Sequence, residues 1–148
     1  MQDSRTDFDL LNTRTAMATI AMISLESAHD VPTTIDRLDS ILTEKGFAVF
    51  GRVDHAANAE RVGMQLRPTQ LLIFGNPQIG TKLIMNSPGI AVDLPLKMIA
   101  SEDEAGKVNL SWIDPQHLKT AHQVEECDEL FINMANVLEG FARQAVAP

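Results

Sequence analysis

The chain has 148 residues, 45% of them hydrophobic, and a net charge of −8. That length matches one ordinary domain, which can bury roughly 68–70% of its unfolded surface without a disulfide or metal staple. Its 12 basic residues are scattered and outnumbered by 20 acidic ones, which argues against nucleic acid and anionic membranes as partners, because both need clustered lysine and arginine.

The polar residues 1–13 predict a mobile tail ahead of a single α+β domain over 14–148. Ala16 to Leu25 is an apolar run, but Asp3, Asp7 and Asp9 outnumber Arg5 and Arg14 before it. A secretory signal needs a positive leading region, and a membrane span needs ~20 apolar residues. The run reads as the first strand, over 16–26. Cys127 is the only cysteine, so no intrachain disulfide forms. This fits a cytoplasmic location, with export as the minority reading.

A helix follows. Asp30 caps it, Pro32 sits in its first turn, Ile35, Leu38, Ile41 and Leu42 form an apolar stripe, and Gly46 ends it. Phe47 to Val53 reads as a strand with Phe47, Val49 and Gly51 on one face. Asp54 caps a short helix over 55–64. Thr69 to Phe74 is apolar on both faces and predicts an interior strand. Asn76-Pro77 starts a helix with Leu83, Ile84 and Met85 turned to the core. From Ile90 to Leu96 the chain is expected to be extended. Residues 96–101 and 108–113 flank a polar turn and form a hairpin. Asp114-Pro115 begins another short helix. Cys127, Leu130, Phe131, Met134, Val137, Leu138, Phe141, Ala142 and Ala145 then make one long stripe. The hairpin imposes antiparallel pairing, so the fold class is α+β with helices packed on a sheet.

Several short blocks resemble one family. They are Asp54-His55-Ala56-Ala57, Leu66-Arg67-Pro68-Thr69, Leu71 through Pro77, Asp93-Leu94-Pro95-Leu96, Glu102-Asp103, Gly106-Lys107-Val108 and Asp114-Pro115. With them the chain resembles the family known as domain of unknown function 302, from about Ser24 to the C-terminus. The resemblance implies a TATA-binding-protein-like fold, a curved, mainly antiparallel sheet of about five strands with helices on one side. It also implies a homodimer, and it brings no reaction. The chain departs from the pattern at Gln70, where relatives often have glutamate, and at Trp112-Ile113, where asparagine usually follows the aromatic.

Six residues are candidates for ligand binding: His55, Arg67, Gly75, Asn76, Lys82 and Asp93. Gly75-Asn76-Pro77 lies where a strand meets a helix N-terminus, a natural place for an anion or carbonyl. Arg67 and Lys82 are possible cationic neighbours, and the bland reading makes Asn76 a cap and Gly75 a turn residue. Gly75 is expected to need a positive φ or a close backbone approach, so alanine there would cost on the order of 1 kcal/mol. His55 beside Asp54 can be an acid–base pair, or Asp54 can simply cap the helix. Asp93 sits in an uncharged run and is expected to be half buried and paired with Arg67.

The chain lacks both G-x-x-x-x-G-K-[ST] and G-x-G-x-x-G. His29, His55, His117 and His122 have no metal-ligand spacing, and the methionines fall mostly in apolar runs, so no metal or cofactor is expected. Two functions follow. The first is a non-enzymatic homodimer that binds a small anionic or hydrophobic ligand near Gly75-Asn76-Pro77. The alternative is a small enzyme using His55, Asp93 and Arg67 as acid, base and anion holder. The dimer is expected to form through the C-terminal helix or a sheet edge.

Overall fold

A computed structural model describes residues 21–148. The tail expected over 1–13 and the start of the expected first strand lie outside the described residues. The strands are β1 (Met22–Ser27), β2 (Ala48–Asp54), β3 (Thr69–Gly75), β4 (Leu96–Glu102) and β5 (Val108–Ile113). They form one antiparallel sheet in the order β1-β5-β4-β3-β2. Within the residues from Met22 onward the sheet is accompanied by the helices α1 (Val31–Glu44), α2 (His55–Arg61), α3 (Pro77–Asn86), α4 (Pro115–Ala121) and α5 (Asp128–Val146). The α+β class is as the sequence indicates.

Local chemistry sets the element boundaries. Asp30 accepts from Thr33 N at 2.8 Å, Asp54 from Ala57 N at 2.9 Å and Asp114 from Gln116 N at 2.9 Å, each capping a helix start. The hydrogen bonds from Thr33 hold the exposed Asp30 carboxyl below its ordinary range. Gly46 ends α1 at φ +81°, a backbone conformation that costs glycine little. In the β4–β5 turn, Asp103 Oδ1 accepts from Ala105 N and Lys107 N, each at 2.9 Å.

Side-chain alternation along the strands gives the sheet two unlike faces. Leu72, Phe74, Met98, Ala100, Leu110 and Trp112 turn to one side and pack with Ile35, Leu38 and Leu42 of α1 and with Leu138, Phe141, Ala142 and Ala145 of α5. Phe47 meets Phe141 edge-on, with ring centroids 5.2 Å apart, a favourable aromatic geometry. A second cluster gathers Leu83, Ile90, Leu118, Val124, Phe131 and Met134. Helix α5 therefore serves both clusters, its C-terminal half against the sheet and its N-terminal half away from it.

Arg37 of α1 ties down the end of α5. Its Nε donates to Ala145 O at 2.9 Å, and its Nη2 donates to Gln144 O at 2.9 Å and Ala147 O at 3.1 Å. A guanidinium here satisfies carbonyls with no helical partner and opposes the negative end of the helix dipole.

Four expectations need correction. Residues 88–93 form a 3-10 segment (Pro88–Asp93) instead of extended chain. Proline suits a first helical position, and only Ile90 of this stretch is buried while Val92 is 80% exposed, so the segment is anchored at one point. Met85 faces solvent at 79% exposure, because α3 is amphipathic and Leu83 takes the core position. Gly51 does not share the face of Val49: Val49 pairs with Phe74 and Gly51 with Ile73, so Phe50 is an extra residue in a β-bulge. Finally, the α5 stripe is consumed within the chain. Phe131, Met134, Leu138, Phe141, Ala142 and Ala145 are all buried, and Val137 alone of the large stripe residues is 40% exposed. Helices α1 and α5 lie side by side, which removes the surplus apolar surface that motivated a helix-mediated dimer.

Candidate functional site

The two apolar clusters do not close completely on one another. Between them, where β2 begins and β3 ends, lies a cavity of about 530 Å3. Helix α3 forms one wall through Ile79, Gly80, Leu83 and Ile84, and α5 forms the opposite wall through Leu130, Met134, Val137 and Leu138. Phe47, Phe50 and Gly75 close the sheet side, and Leu94, Pro95 and Leu96 close the approach to β4. No charged side chain lines it, and its polar side chains are Asn76, Thr81 and Asn133.

The sequence builds this space in identifiable ways. The β2 bulge delivers Phe50 to the cavity, although the residue remains 57% exposed. Asn76 Oδ1 accepts from Gln78 N at 3.0 Å and Ile79 N at 3.4 Å, which fixes the α3 N-terminus at the cavity. Gly80 presents no side chain to it, and a Cβ there would meet nothing within 4 Å.

The six sequence candidates do not converge. Gly75 and Asn76 line the cavity. His55 begins α2 after the far end of β2 and is exposed. Arg67 precedes β3 at that same far end and donates from Nε to Glu102 O at 3.2 Å. With β3 seven residues long, roughly 20 Å separates that end of the sheet from Asn76. Lys82 is exposed on α3 and does not line the cavity.

The Asp93 side chain is half covered, as expected, but its partner is His122 and not Arg67. Its side chain is 49% exposed, and its Oδ2 lies 2.6 Å from His122 Nε2. The 3-10 turn places this residue outside the core, so the premise of a carboxylate carried inward by a strand does not hold. Asp54 is committed to capping α2. The acid–base and anion-holding constellation of His55, Asp93 and Arg67 is therefore absent. Among the described residues, no group of three or more His, Cys, Asp or Glu side chains could hold a metal ion.

The expectation for Gly75 also fails. Its φ lies outside the left-handed range, and an added Cβ would sit 3.6 Å from Phe50 Cε2 and 3.8 Å from Pro95 Cβ, both ordinary contacts. Gly75→Ala should therefore leave stability unchanged or raise it by about 0.4–1 kcal/mol through the unfolded chain. A loss of about 1 kcal/mol or more in denaturant melts would contradict this reading.

The family model described as "Domain of unknown function DUF302" matches residues 23–141. The chain belongs to that family. A DUF302 structure, described as the crystal structure of an uncharacterized conserved protein from Bacillus stearothermophilus, superposes with a TM-score of 0.69 at 18% identity. The match covers 85% of this chain and 95% of that one, and it supports the fold. Curated relatives include the fluoride-specific ion channel FluC 1 of Brucella suis and that of Brucella abortus, each 42% identical over 119 residues. The match takes in 78% of this chain but 47% and 44% of those proteins, so the chain spans less than half their length. No helix among the described residues is long and apolar enough to cross a membrane.

Proposed function

We propose that this DUF302 protein is a non-enzymatic binding domain for a small, uncharged hydrophobic molecule, held in the cavity between α3 and α5. The observation that carries this reading is the lining: a half-open pocket of about 530 Å3 walled mostly by apolar side chains, with no charged group among them. Ligand sites are typically concave, largely apolar and furnished with a few fixed polar groups. Transferring an ion into such a lining without a partner is costly, so of the two ligand classes the sequence suggests, the hydrophobic one is favoured over the anionic one. Fluorescence titration with neutral Nile red and with anionic 8-anilinonaphthalene-1-sulfonate tests this. Saturable one-to-one binding of Nile red is expected, with the anionic dye weaker; the reverse order would overturn the reading.

The homodimer belongs to the same proposal, now through the sheet. Opposite the helices, the paired Met22 and Ile113 are 50% and 45% exposed, and Leu71 and Ile99 lie across from each other on that same face. Exposed apolar surface of this kind favours self-association. Sedimentation equilibrium should give twice the 16.2 kDa chain mass, and a single-chain mass at micromolar concentration would refute the dimer. A cytoplasmic location completes the proposal, supported by the lone cysteine.

The relatives favour a second reading, that the domain acts alongside a fluoride channel. Its support is the match to less than half of proteins bearing that name, by a chain whose described helices cannot cross a membrane. On this reading the protein reconstituted alone in liposomes gives no fluoride efflux at a fluoride electrode. Efflux from it would show that this chain conducts by itself.

A further inference from the structure

We infer that the ligand carries a neutral hydrogen-bond acceptor, a ketone or ester carbonyl at one end of an apolar body, and that Asn76 Nδ2 donates to it. This rests on the cavity reading above and adds the polar anchor that selects among apolar molecules. Asn76 lines the cavity and is half-buried. Its carboxamide orientation is not free. The backbone N–H groups of Gln78 and Ile79 can only donate, so the side-chain atom facing them at 3.0 and 3.4 Å is the oxygen.

Capping therefore commits Oδ1 and leaves Nδ2, with its two N–H bonds, as the remaining donor. No acceptor takes it among the described residues. Thr81 and Asn133 also line the cavity but are more exposed, and no hydrogen bond among the described residues pins their rotamers. Asn76 is thus the one lining side chain with a fixed, unspent donor. The α3 N-terminus reinforces the preference, because its partial positive charge favours the oxygen end of a carbonyl dipole. A carbonyl suits this better than a carboxylate, since no cation lines the cavity to balance a full charge.

The test uses two ligands with one carbon skeleton, propiophenone and n-propylbenzene, titrated against the full chain by calorimetry. The informative quantity is the affinity ratio of ketone to hydrocarbon, compared between wild type and variants, which cancels the difference in their hydration. Asn76→Asp keeps a capping oxygen and has no donor, and Asn76→Ser keeps the cap but replaces the carboxamide N–H groups with one shorter hydroxyl held close to the backbone. The ratio should fall about five- to tenfold in both variants, the loss of one net hydrogen bond. A ratio equal to wild type in both variants would overturn the carbonyl inference and leave the apolar cavity reading intact. Failure of both compounds to bind wild type, or equal binding by Val137→Trp, would overturn the two together.

Discussion

Val137→Trp on α5 and Ile79→Trp on α3 should each weaken Nile red binding by more than about tenfold with little change in melting temperature. The two residues line opposite walls of the cavity, so an indole from either side occupies the same space. In a closely packed interior, such enlargement forces neighbours off their rotamers and costs about 1–3 kcal/mol. At this chain length that would lower the melting temperature by about 2–4 °C per kcal/mol. Open space removes the penalty and adds apolar burial instead. The pair of readouts is therefore diagnostic. Lost binding with retained stability supports a ligand cavity, whereas lost stability with retained binding points to a packed region and a site elsewhere.

Arg37→Ala should produce the largest loss of stability among the surface-reaching substitutions. Gln144 O and Ala145 O lose the guanidinium donor, and Ala147 O loses one of its two partners, keeping His29 Nε2 at 2.6 Å. Hydrogen bonds to a charged donor contribute about 1.5–3 kcal/mol when well shielded. One of these is exposed and the others part-buried, which brings the expected total to about 2 kcal/mol. Thermal melts should fall by roughly 4–8 °C. Arg37→Lys should recover only part of this, because an ammonium cannot reproduce the planar fork that reaches carbonyls on both sides. An unchanged melting temperature in Arg37→Ala would show that α5 is held by its apolar stripe alone.

These two effects mark the boundary between what the sequence reveals and what it hides. Helix starts at Asp30, Asp54, Asn76 and Asp114 are legible because a cap acts within three residues of itself. The hairpin is legible for the same reason, through Asp103 and Gly106. The cavity is not, because it depends on α5 dividing its stripe between two clusters, a property of the tertiary arrangement. Asp93 illustrates the other failure: the partial cover of its side chain was legible from uncharged neighbours, but the 3-10 turn sets it beside His122, 29 residues further along the chain, and not Arg67. Pro88 was the available signal for that turn.

On the binding reading, an uncharged hydrophobic molecule occupies the space between α3 and α5. Methyl-labelled NMR titration with n-propylbenzene tests it most directly, because it reports location as well as binding. Saturable shifts confined to Ile79, Ile84, Leu130, Met134 and Val137 are predicted, with Ile23, Ile99 and Ile113 unmoved. Shifts centred on Ile99 and Ile113 of the open sheet face, or none at millimolar ligand, would contradict it.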